Sequence, residues 1–170
     1  MPYVIIAAVL VILGIVIANA IMTKKASKAL LNSVDEYLKS YNETYELTYL
    51  TDDTHEIDLK INNHHFAIKV ILVPAYSEIQ VNNRSTWEVK YGAGNTPGKV
   101  QPHKRYLTEV SSFMRRDFDE GIEKIVIFSP KPKKIVKYIN ECEIVFVDAK
   151  TDVYGARIFS KDNYIIFRQK

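Results

Sequence analysis

Two short stretches of the sequence carry charged side chains at spacings that suit metal-dependent chemistry. Glu88 and Lys90 lie two positions apart in an alternating stretch, so on a strand both would project opposite the apolar residues. Asp58 occupies the same kind of position in an earlier alternating stretch. An Asp and a Glu from adjacent strands can hold Mg²⁺ or Mn²⁺ through oxygen atoms, and a lysine beside them can orient or deprotonate a water that attacks a phosphodiester. We therefore predict Asp58 and Glu88 as metal ligands, and Asp58, Glu88 and Lys90 as catalytic residues.

The elements that must position these residues predict an α+β fold, with a mixed sheet and helices on its faces. Apolar residues recur every three or four positions in 24–42, which predicts an amphipathic helix. Further helices are predicted from about His103 to Asp117 and after Pro132. Alternating or continuous apolar runs predict strands at 45–49, 57–61, 66–73, 78–81, 85–91, 123–128, 143–147, 154–159 and 164–168.

The order of these elements and motifs resembles the PD-(D/E)xK nuclease superfamily, and within it the nuclease-related (NERD) domains. The likeness covers roughly residues 30–147. It rests on Glu56-Ile57-Asp58, on Trp87-Glu88-Val89-Lys90-Tyr91-Gly92, and on the Gly/Pro-rich loop that leads through Gln101 into a helix with Leu107 and Phe113. The resemblance implies a restriction-endonuclease-like fold, metal ligation by Asp58 and Glu88, a catalytic role for Lys90 and a supporting role for Gln101.

The family motif can also be aligned with a second set of residues, and the sequence does not decide between this second register and the first. Asp58 and Glu88 are 30 residues apart, which is farther than the family usually separates its Asp from its Glu-x-Lys. Phe66-Ala67-Ile68-Lys69 lies at a better spacing, but Ala67 then replaces the carboxylate and only Lys69 remains. In that register the site would bind metal poorly.

The N-terminal segment predicts a membrane anchor. The first 22 residues contain no charged side chain, and Tyr3 to Met22 contains one strongly polar residue, Asn19. A helix of about 20 residues spans roughly 30 Å, the thickness of the hydrocarbon core. A secretory signal peptide would begin with basic residues and have a shorter apolar core. The interpretation is therefore a transmembrane helix over 1–23.

The charges that follow this segment predict its orientation. Lys24, Lys25 and Lys28 come directly after the apolar run, and no Lys or Arg precedes it. The positive-inside rule then places the C-terminal side in the cytoplasm. We predict a single-pass cell-membrane protein with its N-terminus outside, a juxtamembrane amphipathic helix over 24–42 and a cytoplasmic domain over 43–170.

Composition limits the other chemistries. The single cysteine, Cys142, excludes an internal disulfide and a multi-cysteine zinc site, and no two of the four histidines have the helical spacing of a zinc pair.

The net charge of +3 is modest, but basic residues cluster in two places that predict contact with phosphates of nucleic acid or lipid. The residues predicted for that contact are Lys104, Arg105, Lys131, Lys133 and Lys134.

Two functions follow from these features. The first is a membrane-anchored, cytoplasmic nuclease-related domain that binds nucleic acid and hydrolyses it if Mg²⁺ or Mn²⁺ is held by Asp58 and Glu88. The second is a catalytically inactive, membrane-tethered interaction module with a protein, lipid or nucleic-acid partner. The geometry of the two carboxylates discriminates between them, because a shared cation requires them to lie within about 5 Å of each other.

Overall fold

The structure, a computed structural model, describes residues 44–50, 57–92, 103–140 and 142–160, and within 25–40 it describes residues 25, 28, 29, 32–36 and 38–40. The described residues of 25–40 are helical, and we call this helix α1. Within the described ranges, no helix has the length and apolar character needed to cross a membrane. The transmembrane helix predicted over 1–23 lies outside the described residues.

The first sheet has five strands in the order β1-β2-β3-β7-β10. These strands are β1 (Tyr45–Tyr49), β2 (Ile57–Ile61), β3 (His64–Leu72), β7 (Ile122–Ser129) and β10 (Ala156–Ser160). β1, β2 and β3 pair antiparallel, whereas β7 runs parallel to both β3 and β10. Asn62 has a φ of 52° in the tight turn between β2 and β3, a conformation that asparagine tolerates.

The second sheet also has five strands, in the order β6-β5-β4-β8-β9. They are β4 (Glu78–Asn83), β5 (Thr86–Tyr91), β6 (His103–Tyr106), β8 (Lys134–Tyr138) and β9 (Ile144–Phe146). β4 pairs antiparallel with β5 and parallel with β8, and β6 and β9 form the two edges as antiparallel strands. Helix α2 (Thr108–Arg115) follows β6.

Two buried clusters hold the fold together. One face of the first sheet packs against α1, where Val34 and Leu38 are almost completely buried. The opposite face of the first sheet shares a larger cluster with α2 and with one face of the second sheet. Trp87, Phe113 and Phe128 are the largest side chains in this shared cluster. The other face of the second sheet, which we call its outer face, therefore points away from both clusters.

The predicted fold class was wrong. Instead of one mixed sheet flanked by helices in a restriction-endonuclease-like arrangement, the described residues form two mixed sheets with two short helices. The helix predicted after Pro132 is strand β8, and the helix predicted from His103 begins only at Thr108. Cross-strand pairing to β5 and β4 outweighs the helical spacing of the apolar residues, because propensity is weak relative to tertiary packing.

Candidate functional site

The predicted metal ligands Asp58 and Glu88 do not lie on adjacent strands. Asp58 is on β2 of the first sheet, and Glu88 is on β5 of the second sheet. Glu88 alternates with Trp87 and Val89, which are buried in the cluster between the sheets. The Glu88 side chain therefore projects to the outer face, and the second sheet itself separates it from Asp58. The geometry does not let these two carboxylates share a cation.

The environment of Glu88 and Lys90 is that of a solvated sheet face. Glu88 accepts a hydrogen bond from Asn82, with 3.1 Å between Nδ2 and Oε1. Lys90 lies in register between Lys104 on β6 and Glu78 on β4. Its positive charge contributes to the lowered pKa of Glu78. Lys90 is thus placed beside a different carboxylate from the one predicted for catalysis.

Asp58 has a different set of neighbours, on β3. In the strand register it lies directly opposite Ala67, which is completely buried. His65 Nε2 is 3.5 Å from Asp58 Oδ1, although this buried nitrogen makes no hydrogen bond to any described residue. Lys69 projects from the same face of β3 as His65 and Ala67 and is 6% exposed. This arrangement corresponds to the second register, in which Asp58 and Lys69 flank a position without a carboxylate.

The described residues do not form a set of ligands that suits Mg²⁺ or Mn²⁺. Such ions require several oxygen ligands that converge, usually including more than one carboxylate. Asp58 faces Ala67, and Glu88 is on the other sheet. In the described ranges, no three His, Cys, Asp or Glu side chains are close enough to form a metal site.

The outer face of the second sheet carries a row of charged residues across four strands. The strand registers place Lys104, Lys90, Glu78 and Lys134 side by side on β6, β5, β4 and β8. Lys134 Nζ lies 2.9 Å from Glu78 Oε2. Burial raises the pKa of Glu78, but hydrogen bonds from Lys134 and Gln80 outweigh it, so the pKa lies below its ordinary value. We call these four residues the lysine row.

A second row on the same face carries aromatic and amide side chains. Tyr106, Glu88, Gln80, Val136 and Phe146 lie in register on β6, β5, β4, β8 and β9. Tyr106 is 63% exposed and Phe146 is 65% exposed. Gln80 Nε2 donates to Glu78 Oε1 at 3.1 Å and lies 3.4 Å from the Tyr138 hydroxyl. We call these five residues the aromatic row.

The remaining predicted basic residues do not form a single patch. Arg105 projects to the opposite side of β6 from Lys104, where it contacts Glu109 and the Leu72 carbonyl. Lys131 and Lys133 lie in the loop before β8 and line a pocket together with Lys134. The structure thus joins Lys104 and Lys134 through the sheet, and it separates Arg105 from both.

Sequence reasoning missed several residues of this surface. Tyr106 falls within the helix predicted from about His103 to Asp117, and Phe146 falls within the short strand predicted over 143–147. Nothing in the sequence marks Gln80 or Glu78 as part of this surface. Only the pairing of β4 with β5 and β8 places them beside the lysines and the aromatic side chains. If 103–106 is taken as a strand and not as a helix, Lys104 and Tyr106 lie on one face and His103 and Arg105 on the other, which would have predicted that Lys104 and Tyr106 are neighbours.

Comparisons with known proteins give no relative on which to base a function. No protein-family model, no curated protein and no solved structure matches this chain.

Proposed function

We propose that this protein binds single-stranded nucleic acid on the outer face of its second sheet, without the carboxylate pair for hydrolysis. The observation that carries the proposal is the lysine row beside the exposed aromatic row. Single-stranded nucleic acids are bound by basic grooves that follow the backbone and by aromatic side chains on which bases stack. Both features lie on the same face of the second sheet, with the exposed rings of Tyr106 and Phe146 on its two edge strands.

The lysine row supplies the positive charge for a phosphate backbone. Lys134 is paired with Glu78, but Lys90 and Lys104 form no ion pair with any described residue. A negatively charged backbone can therefore approach Lys90 and Lys104 without displacing a carboxylate from them. Binding to phosphates by lysine is driven by counterion release and is independent of sequence.

The aromatic row supplies surfaces for the bases. The exposed rings of Tyr106 and Phe146 are four strand spacings apart, about 19 Å at about 4.8 Å per strand. Between them, the Glu88 carboxylate can accept hydrogen bonds from base edges, whereas Gln80 and Val136 are only 7% and 2% exposed and form the buried middle of the row. Stacking of a base on an aromatic side chain contributes about 1–3 kcal/mol.

The distance between the two rows suits a nucleotide. Residues two positions apart on one strand are separated by about 7 Å, which is comparable to the separation of phosphate and base within one nucleotide. Lys90 and Glu88 on β5, and Lys104 and Tyr106 on β6, have this spacing. A strand of nucleic acid that crosses the β-strands would thus place phosphates on the lysine row and bases on the aromatic row.

The site around Asp58 supports binding without hydrolysis. Metal-dependent phosphodiesterases use carboxylates to hold the ion that stabilises charge on the phosphoryl oxygens. Opposite Asp58 the side chain is the methyl group of Ala67. One carboxylate with His65 and Lys69 nearby is not sufficient for that role.

One observation favours the interaction-module alternative. Strand β9 is an edge of the second sheet, and its Ile144 and Phe146 side chains are 47% and 65% exposed. A short apolar edge strand can pair with an extended segment of a protein partner. In this alternative Phe146 matters for binding, and the lysines of β5 and β6 do not.

The binding experiment uses the full-length chain in nonionic detergent and fluorescently labelled single-stranded DNA and RNA. We expect affinities in the range of about 10⁻⁴–10⁻⁶ M at physiological salt, with strong salt dependence. The double variant Lys90→Gln/Lys104→Gln should reduce the salt slope by about 0.7 for each lost phosphate contact. The matched control is Lys28→Gln/Lys60→Gln, which removes two exposed lysines elsewhere on the molecule.

The outcomes separate the two functions. Weaker binding by the double variant and by Tyr106→Ala, with the control unchanged, supports nucleic-acid binding on this face. Absence of oligonucleotide binding at low salt, or equal binding by the double variant and its control, overturns it. Cleavage that depends on Mn²⁺ and is abolished by Asp58→Ala would overturn the absence of hydrolysis.

A further inference from the structure

A pocket of about 130 Å³ lies where the β7–β8 loop, the turn after β9 and the end of β10 meet. Its polar lining comes from Lys131, Lys133 and Lys134 on one side and from Ser160 and Asp148 on the other. This size accommodates a small charged group.

The pocket contains positive charge that the described residues do not neutralise. Lys131 and Lys133 form no ion pair with any residue in the described ranges, whereas Lys134 is paired with Glu78. The loop that carries them is fixed, because Pro132 is buried and the Lys133 backbone N–H donates to the Ser77 carbonyl at 2.7 Å. The two lysines are therefore held at the rim of a preformed cavity.

Ser160 is an independent sign of a ligand. It is 6% exposed, and its buried hydroxyl oxygen makes no hydrogen bond to any described residue. A buried hydroxyl without a partner costs free energy. A group that enters the pocket and accepts a hydrogen bond from Ser160 would remove this cost.

Asp148 is the acidic residue of the lining, and its charge is engaged in its own turn. Its Oδ1 accepts hydrogen bonds from the backbone N–H groups of Lys150 at 3.0 Å and Thr151 at 2.9 Å, and from the Thr151 hydroxyl at 2.6 Å. The Thr151 hydroxyl and the Lys150 N–H lower the pKa of Asp148. These donors reduce the repulsion that the carboxylate exerts on an anion in the pocket.

We propose that this pocket binds a phosphomonoester, the terminal phosphate of the nucleic-acid strand that crosses the second sheet. The proposal rests on the proposed function. A terminal phosphate carries nearly two negative charges and three acceptor oxygens, which match Lys131, Lys133 and the Ser160 hydroxyl. Lys134 is the first residue of β8; its side chain lies in the lysine row, and the residue also borders the pocket, which opens on the side of β8 that faces the first sheet. A strand whose phosphates follow the row reaches the pocket by passing around this end of β8.

The experiment compares oligonucleotides that differ only at their ends. The full-length chain in nonionic detergent is titrated with one labelled sequence that carries a 5′-phosphate, a 3′-phosphate or only hydroxyl ends. We expect one of the phosphorylated forms to bind about tenfold tighter than the hydroxyl form, as expected for charge-assisted hydrogen bonds. Inorganic phosphate is the second probe, and it should raise the melting temperature.

Three variants test the residues. Ser160→Ala and Lys131→Gln/Lys133→Gln should abolish the preference for the phosphorylated end, while binding of the hydroxyl form changes little. Ser160→Ala should not lower the melting temperature, because its hydroxyl has no partner among the described residues. Asp148→Asn keeps an oxygen acceptor for the turn and removes the negative charge, so it should tighten phosphate binding about threefold. Lys60→Gln is the control for lost charge.

The outcomes also separate this proposal from the proposed function. Equal affinity for phosphorylated and hydroxyl ends, with no stabilisation by inorganic phosphate, overturns the pocket and leaves binding on the sheet intact. A preference that persists in Ser160→Ala and in the double lysine variant also overturns it. Stabilisation by inorganic phosphate that these variants abolish, without any oligonucleotide binding, supports a phosphate pocket but overturns the proposed function.

Discussion

Asp58 on β2 lies directly opposite Ala67 on β3, so the strand pair presents one carboxylate where a metal site of this kind needs two. The methyl group of Ala67 belongs to the buried cluster between the two sheets. His65, from the same face of β3, brings an imidazole nitrogen to 3.5 Å from Asp58. Ala67 thus occupies the position where a second carboxylate could face Asp58, and a substitution at this position tests whether a metal site can form there.

Ala67→Glu should create an affinity for Mn²⁺ that the wild type lacks. The new carboxylate is buried, so the variant should be destabilised by about 3–5 kcal/mol when a chelator is present. Mn²⁺ at saturating concentration should then raise its melting temperature by about 5 °C or more. The measurement is thermal unfolding by circular dichroism with Mn²⁺ or with chelator.

Two controls make this result interpretable. Ala67→Gln has the same size without the charge, and Asp58→Asn/Ala67→Glu has one carboxylate again. Neither should respond to Mn²⁺. A comparable Mn²⁺ response of the wild type would contradict the assignment, because it would reveal metal ligands that the described residues do not include.

The ion pair between Glu78 and Lys134 should make stability depend on pH in the acidic range. The pKa of Glu78 in the folded protein lies below its ordinary value of 4.5. A group of this kind contributes stability above its unfolded pKa and loses the contribution as pH falls through its folded pKa. Glu78→Gln should therefore cost about 1 kcal/mol at pH 7 and progressively less below pH 4.5.

Melting temperatures of Glu78→Gln and wild type between pH 3 and pH 7 test this prediction. The control is Glu46→Gln, which removes an exposed partner of Lys60 from the first sheet. A difference between Glu78→Gln and wild type that stays constant over the whole pH range would show that ionisation of Glu78 is not responsible.

Lys124 should anchor the C-terminal end of α2. Its ammonium group donates to the Met114 carbonyl at 3.0 Å and to the Arg116 carbonyl, which a helix end leaves without intrahelical partners. Burial lowers the pKa of Lys124, and the nearby Arg84 lowers it further. Lys124→Met keeps most of the packing and removes the donor, so it should cost about 1 kcal/mol. Urea unfolding measures the loss.

An exposed lysine provides the comparison for Lys124. Lys150→Met should change the free energy of unfolding by less than about 0.5 kcal/mol. If Lys124→Met is equally harmless, its hydrogen bonds to the helix end do not stabilise the fold.

Phe113 should be among the most important residues of the cluster between the sheets. It is 1% exposed and lies edge-on to Phe118, with 5.7 Å between the ring centroids. Phe113→Ala should reduce the free energy of unfolding by about 3–5 kcal/mol. Trp87, the only tryptophan, is buried in the same cluster and reports the transition through its fluorescence.

The conservative variant Phe113→Leu should lose substantially less than Phe113→Ala, because it leaves a smaller cavity. Losses of equal size in both variants would contradict an origin in packing and would point to a change in the unfolded state.

The cell-membrane localisation stays a prediction, because residues 1–23 lie outside the described residues. We expect the chain to remain in the membrane fraction after washing with high salt, and to be released when residues 1–23 are deleted. Protease added outside intact cells should leave the domain uncut. Digestion of the domain under these conditions would contradict the cytoplasmic orientation.

The sequence by itself determined most of the strands of the first sheet. The alternation in 45–49 and 57–61 predicts β1 and β2 with the observed bounds. The apolar stripe of 24–42 predicts a helix that packs on the domain, and Val34 and Leu38 are buried accordingly. These features depend on local periodicity, which a sequence displays directly.

The partition of the strands between two sheets was decided only by the tertiary structure. Asp58 and Glu88 have equivalent local patterns, and nothing local states that β2 and β5 belong to different sheets. The same holds for the rows of the outer face, where Lys104, Lys90 and Lys134 become neighbours through strand register. A sequence shows which face of its own strand a residue occupies. Pairing between distant segments, selected by burial of the shared core, decides what lies beside it.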